Sequence, residues 1–176
     1  MKKNSLFPLL FVLLLLCNAE SYALNRISVG VGKSKDSINI CHLGLQREFN
    51  SKWLKWKTGY FSGYHEVSLN YWEYRNESIK GVAYSPVFIY VFSWLSRNIF
   101  PYFEVGIGVS CISDKTIKGR DLSSYFQFED RVGIGAKIKK EKIGDLGFRY
   151  MHYSNAGIKQ PNQGISIFMF SYTYSF

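Results

Sequence analysis

Apolar and polar residues alternate with a period of two through most of this 176-residue chain, in runs bounded by turn residues. Eight runs, rich in Tyr, Phe, Val and Ile, predict β-strands near residues 26–33, 37–49, 64–75, 83–95, 100–113, 123–139, 144–154 and 164–176. All but the first reach the roughly 9–11 residues with which a tilted strand crosses a bilayer. Turn chemistry separates several pairs: Lys33-Ser34-Lys35-Asp36, Arg75-Asn76-Glu77-Ser78 and Lys139-Lys140-Glu141-Lys142. Segment 50–63, with Trp53, Trp56 and Tyr60, is expected to be an interfacial anchor built as a short helix or irregular turn.

The two faces of each strand differ in kind. In the last strand Phe168, Phe170, Tyr172, Tyr174 and Phe176 share one face, against Ile167, Met169, Ser171, Thr173 and Ser175. The fifth sets Phe103, Val105, Ile107 and Val109 against Glu104, Gly106, Gly108 and Ser110, and the sixth sets Phe126, Phe128, Val132 and Ile134 against Gln127, Glu129, Arg131 and Lys137. Large apolar side chains turned to lipid, with small, polar and charged ones turned inward, describe an all-β, eight-stranded antiparallel transmembrane β-barrel of the outer-membrane type. A lumen that narrow is filled by side chains, so Glu66, Glu104, Glu129, Arg131 and Arg149 are expected to pair there as a plug rather than line a solute channel. A soluble lipocalin-like barrel has the same strand count with the faces exchanged. The mixed-sign charged face and the aromatic C-terminus favour the membrane version.

The N-terminus carries a different signal. Lys2 and Lys3 precede an apolar run from Leu6 to Cys17 that ends in Ser21-Tyr22-Ala23, the form of a secretory signal peptide cleaved after Ala23, with Ala19 as the other option. The barrel domain is then 24–176. Removing 1–23 leaves 20 Lys and Arg against 12 Asp and Glu, a net charge of +8, which by itself suits phosphate-bearing lipid, nucleic acid or acidic sugar, or serves solubility alone. Cys41 and Cys111 fall on the outer face of non-neighbouring strands, so both are expected to be free thiols. There is no Cys/His cluster, phosphate-cradling loop or dinucleotide pattern, and neither a metal, a cofactor nor nucleic acid is expected. His42 and His65 read as polar barrel residues.

The seventh strand holds the candidate chemistry. Leu146, Phe148 and Tyr150 form its lipid face, and His152 and Ser154 continue that face at period two. An imidazole and a hydroxyl there either mark a site, since polar groups on a lipid face cost free energy, or mean that the strand has already left the membrane. Asp130 lies on the outward face of the sixth strand. A hairpin centred on Glu141 places it directly across from His152, where it is a candidate orienting acid.

His152-Tyr153-Ser154-Asn155-Ala156-Gly157, followed by Pro161-Asn162 and Gly164, resembles the H-x-S-N-A-G…P-N-x-G segment of the outer-membrane lipid A 3-O-deacylases. Weaker agreement runs through Pro101-Tyr102, Gly106-Ile107-Gly108, Phe126 to Asp130, Gly133-Ile134-Gly135 and Arg149-Tyr150. The resemblance implies a bacterial outer-membrane esterase that removes the 3-O-linked acyl chain of lipid A, the lipid anchor of lipopolysaccharide. Ser154 corresponds to the nucleophile, His152 to its base, and Asn162 with the Gly157 N–H to the oxyanion donors, although both could be turn residues only. Acyl chains would lie against Phe148, Tyr150, Phe168 and Phe170. The family's histidine-orienting Glu is replaced by Ser166, which cannot stabilise an imidazolium by charge. That departure supports the rival reading, a catalytically silent barrel with a structural or surface-interaction role. A homodimer is left open.

Overall fold

The computed structural model describes residues 24–95, 98–138 and 144–176. The expected signal peptide and the Lys139–Lys142 turn lie outside these. Eleven strands form: β1 (Arg26–Ser34), β2 (Asn39–Glu48), β3 (Trp53–Trp56), β4 (Gly59–Tyr74), β5 (Glu77–Phe92), β6 (Ile99–Ile112), β7 (Thr116–Ile117), β8 (Arg120–Asp121), β9 (Phe126–Ile138), β10 (Asp145–Ser154) and β11 (Ile165–Ser175). The eight long ones are all antiparallel to their neighbours in the order β2-β1-β11-β10-β9-β6-β5-β4, and β4 pairs back onto β2. The sheet therefore closes and has no edge, which is what lipid demands of strands whose backbone groups find no water. No described helix is long and apolar enough to cross a membrane.

Three stretches differ from the sequence reading. Segment 50–63 is not a helix or irregular turn: β3 folds back on an extended β4, with Trp53 across from Phe61 and Trp56 across from Gly59. The aromatic residues that read as an anchor pair instead across strands, Trp56 with Phe61 at 6.1 Å and Phe61 with Tyr90 at 4.9 Å between centroids. The start of the predicted sixth strand, 123–125, belongs to a loop carrying the β7–β8 hairpin, and the strand begins at Phe126. The Arg75 turn is also tighter than expected, because Glu77 and Ser78 already pair with Tyr74 and Glu73 while Arg75 takes a φ of 53°.

The expected plug is present. Arg149 Nε donates to Glu104 Oε1 at 2.7 Å, and Arg131 Nη2 lies 2.6 Å from both Glu66 and Glu129. Gln46 donates to Glu66 at 2.6 Å, Tyr64 to Glu104 at 2.8 Å, and Tyr153 to Glu129 at 2.7 Å. The rest of the lumen corrects the expectation of a purely small and polar interior. At the end where His152 lies, Ile38, Ile40, Trp72, Ile79, Ile112, Met151, Ile165, Ile167 and Met169 form a buried apolar cluster. Ile117 and Leu122 from the β6–β9 loop complete it with no exposed surface. The loop folds over this end and turns a rim into a core.

The outer wall is apolar, with Val31, Leu69, Ile107, Ile134 and Phe170 all exposed. Cys41 and Cys111 face outward as free thiols, as expected. His42 is a lumen residue held by Asn70 Oδ1 at 2.8 Å, and His65 sits on the outer wall against the Tyr84 hydroxyl at 2.9 Å.

Replacing Arg149 with Ala leaves Glu104 a buried, unpaired carboxylate, and breaking such a pair from one side costs about 3–5 kcal/mol. Urea titration followed by gel mobility of the folded barrel should show Arg149→Ala unfolding at clearly lower denaturant, with a Glu104→Gln partner change recovering part of the loss.

Candidate active site

His152 and Ser154 lie at the loop end of β10, both half-buried and both on the outer wall with Phe148 and Tyr150. Their Cα atoms are two residues apart on one strand, roughly 6.5–7 Å along it. The structure brings them to one face but not into a hydrogen bond. Ser154 Oγ bonds no other described residue.

The ring of His152 is held from the opposite strand. Its register partners are Asp130 on β9 and Ser166 on β11. The sequence-derived pairing of Asp130 with His152 is thus found in the sheet. The hydrogen bond, however, comes from the other side: His152 Nδ1 lies 3.0 Å from Ser166 Oγ, and the Tyr150 hydroxyl donates to the same Oγ at 2.9 Å. The Asp130 carboxylate is exposed and makes no hydrogen bond or ion pair among the described residues. It stands at the rim of a groove of about 540 Å³ in the outer wall, lined by Phe88, Val105, Ile107, Val132 and Tyr150.

Gly164 forms the other wall of the imidazole. It has a φ of 54°, and a Cβ there would come within 2.8 Å of His152 Cε1 and 3.1 Å of Nε2. Only glycine meets both demands, the left-handed backbone and the close approach of the ring.

The β10–β11 loop supplies the remaining expected groups. The Asn155 N–H donates to Asn162 Oδ1 at 3.1 Å. Because the partner is an N–H, this end of the Asn162 amide is its oxygen, and the NH₂ end is free to donate. Ala156 and Gly157 both have positive φ, 52° and 76°, and reverse the chain just after Ser154. The nearest atom to a Cβ on Gly157 would be 4.0 Å away, so the backbone angle rather than crowding calls for glycine. The Gly157 N–H bonds no described residue.

Four residues that sequence reasoning assigned no role hold this loop rigid. Asn155 is fully buried; its Nδ2 donates to the carbonyls of Leu122 and Lys159, each at 2.9 Å. Arg120 donates to the carbonyls of Gln163 and Gly164 at 3.0 Å and pairs with Asp36 at 2.6 Å. Gln163 Oε1 accepts from the Asp121 N–H at 2.6 Å, and Ser123 Oγ donates to the Pro161 carbonyl. Asn155 lies inside the H-x-S-N-A-G segment, so its place in the motif was a signal. Arg120 carried none, because the loops meet only in three dimensions.

Below the site the four expected apolar contacts form one aromatic patch. Phe148 packs on Phe170 at 4.8 Å and stacks with Phe168 at 6.1 Å, and Tyr150 meets Phe168 at 5.3 Å between centroids.

A closed, plugged, apolar-walled barrel with a cluster of polar side chains on its outside is a membrane-embedded protein of the outer-membrane class whose candidate site faces lipid rather than a channel. Comparison with known proteins narrows this. The chain matches the family model for lipid A 3-O-deacylase (PagL) over residues 41–175 and belongs to that family. It is 36% identical over 148 residues, 83% of each chain, to a lipid A deacylase PagL of Pseudomonas aeruginosa. To the protein of that name in Bordetella bronchiseptica it is 35% identical over 111 residues, 63% of this chain and 61% of that one. A crystal structure of the outer membrane enzyme PagL superposes with a TM-score of 0.80 at 35% identity, covering 86% of this chain and 99% of that one. The protein is an outer-membrane barrel.

Gly164→Ala should displace the imidazole without unfolding the barrel. A misplacement of about 1 Å at a reacting group can cost about 10²-fold in rate. Labelling of Ser154 by a fluorophosphonate should slow by that order, while heat-dependent gel mobility stays that of the parent.

Proposed function

We propose that this chain hydrolyses the 3-O-linked acyl ester of lipid A through Ser154 and His152, from the outer face of the barrel. The observation that carries the mechanism is the imidazole held at Nδ1 by Ser166 and at its other edge by Gly164, one step along the strand from a free Ser154 hydroxyl. With Nδ1–H donating to Ser166, Nε2 keeps its lone pair and acts as the base. Ser154 Oγ attacks the ester carbonyl as its proton passes to Nε2. The tetrahedral oxyanion is met by the Asn162 NH₂ and the Gly157 N–H. One such donor is worth about 2.7–4 kcal/mol at the transition state. Nε2–H then protonates the departing sugar 3-oxygen, and the acyl-serine is cleared by a water that His152 deprotonates in turn.

The apolar patch of Phe148, Tyr150, Phe168 and Phe170 supports acyl chains lying against the wall, with the ester at the height of the two polar residues. Substrate reaches such a site sideways through the leaflet. Asp130, across the sheet from His152, supplies negative charge toward the imidazolium, while Ser166 supplies direction. Division of the acid's role between two residues is how this site meets the loss of the family's Glu. The silent-barrel reading draws on that same substitution and on nothing else in the site.

Lipid A from a host lacking the activity, analysed by mass spectrometry after expression of this chain, should lose its 3-O acyl group. Ser154→Ala should leave it intact, and equal profiles from both would favour the silent barrel. Asp130→Asn should lower turnover by about 10–100-fold, short of the roughly 10⁴ seen when a triad acid is lost outright, because Ser166 still orients the ring. Ser166→Glu in the Asp130→Asn background should recover most of that loss.

A further inference from the structure

We propose that Lys33 and Lys35 form a phosphate-binding subsite on the β1 side of the catalytic row, which seats the phosphate carried by the same sugar as the scissile ester. The proposal rests on the lipid A reading above and adds the direction in which the headgroup lies.

The register fixes where these lysines stand. Lys33 pairs with Phe168 on β11, and Phe168 pairs with Tyr150 on β10, so Lys33 is two strands from β10 in the row next to His152. Lys35 is the first residue of the turn after β1, just past the Ser34–Ile167 pair at the loop end of the barrel. Adjacent strands are about 4.8 Å apart, so two strands place the backbone of β1 about 10 Å from that of β10. A lysine stem spans much of that gap and can carry its ammonium toward the polar layer. The span left over is that of one sugar ring.

Both lysines are exposed, and neither has an ion pair or hydrogen bond among the described residues. Lys33 shares its face with Val29 and Val31, both exposed, so it is a bare charge on an apolar wall. Such a side chain on a lipid-facing strand calls for an anion at its own level. No acid among the described residues pairs with either lysine. Asp36 is taken by Arg120 at 2.6 Å, and its carbonyl accepts Lys118 Nζ. Glu73 lies beyond Asn39, two strands away on the side turned from His152, and forms no ion pair with either lysine.

The other flank of His152 has the opposite sign. Asp130 stands one strand away on β9, at the head of the groove lined by Val105, Ile107 and Phe88. A phosphate on that side would meet a carboxylate. The polarity turns the phosphate toward β1, with the acyl chains below it along the patch of Phe148, Tyr150, Phe168 and Phe170.

Binding and turnover test this separately. In detergent micelles, Ser154→Ala protein should hold lipid A bearing both phosphates about tenfold more tightly than lipid A lacking only the phosphate of the ester-bearing sugar. Lys33→Ala/Lys35→Ala in that background should erase the difference, and Lys33→Arg/Lys35→Arg should keep it. This arm reads the subsite even if no ester is cleaved, so it stands apart from failure of the deacylase reading. On active protein the double alanine change should raise KM about tenfold on the bisphosphorylated lipid, with kcat unchanged, and do nothing on the dephosphorylated one. Inorganic phosphate at millimolar levels should not compete. The proposal is overturned by equal losses on both lipids, by sensitivity only to the phosphate of the other sugar, or by competition from free phosphate.

Discussion

A sheet placed in hydrocarbon can leave no backbone N–H unpaired, and the pairing of β4 back onto β2 is how this chain meets that condition. Closure decides much else. With eight strands the cylinder is filled by its own side chains, so the inward charges must be paired inside. Glu66 and Glu104 are acceptable there only because Arg131 and Arg149 reach them at 2.6 and 2.7 Å. A lumen filled this way has no room for a substrate, and chemistry is left to the outer wall and the loops.

Two kinds of residue on that wall depart from its apolar rule. His152, Ser154, Ser166 and Asp130 gather at the loop end of β9, β10 and β11, and Lys33 and Lys35 stand two strands away. All but Lys35, which lies in the turn after β1, occupy outward positions where the alternation alone calls for Val, Phe or Ile. Their common position near the ends of strands matters, because it is where headgroup and hydrocarbon meet and where an ester between sugar and acyl chain must lie.

Period-two alternation made most of this legible. Because the side-chain period is two, every inward or outward assignment in β4, β6, β9, β10 and β11 follows once one residue of the strand is placed. The partnership of Asp130 with His152 was reachable for the same reason, since a hairpin centre sets all pairs on both strands. What the pattern could not carry were contacts between segments distant in the chain. Loops have no period, so nothing in 113–125 announced that Ile117 and Leu122 would complete a core or that Arg120 would hold the Gly164 carbonyl. The β3–β4 extension was missed for another reason: its aromatic residues suit an interfacial anchor and a cross-strand pair equally well, and only pairing partners separate the two. At His152, residue types suggested an acid as the ring's partner, whereas the nearest group at Nδ1 is the Ser166 hydroxyl.

A site on the outside of a cylinder lacks the walls that a cleft supplies, and its precision must come from elsewhere. Here it comes from the loops. Asn155 links three segments through one buried amide, and Arg120 joins the turn after β1 to the last two residues before β11. These bonds fix Gly164, which fixes the imidazole edge, and Asn162 is fixed beside them by its Oδ1, which accepts the Asn155 N–H and leaves the NH₂ end free. The apolar core formed by Ile117 and Leu122 beneath this cap anchors it to the barrel. The capping loop and the reacting groups therefore form one mechanical unit, although no side chain of the β6–β9 loop belongs to the proposed catalytic set. Rigidity under the loop and an open face toward lipid are compatible because they use opposite faces of the same strands: Met151 and Tyr153 pack inward on β10 while His152 and Ser154 look out.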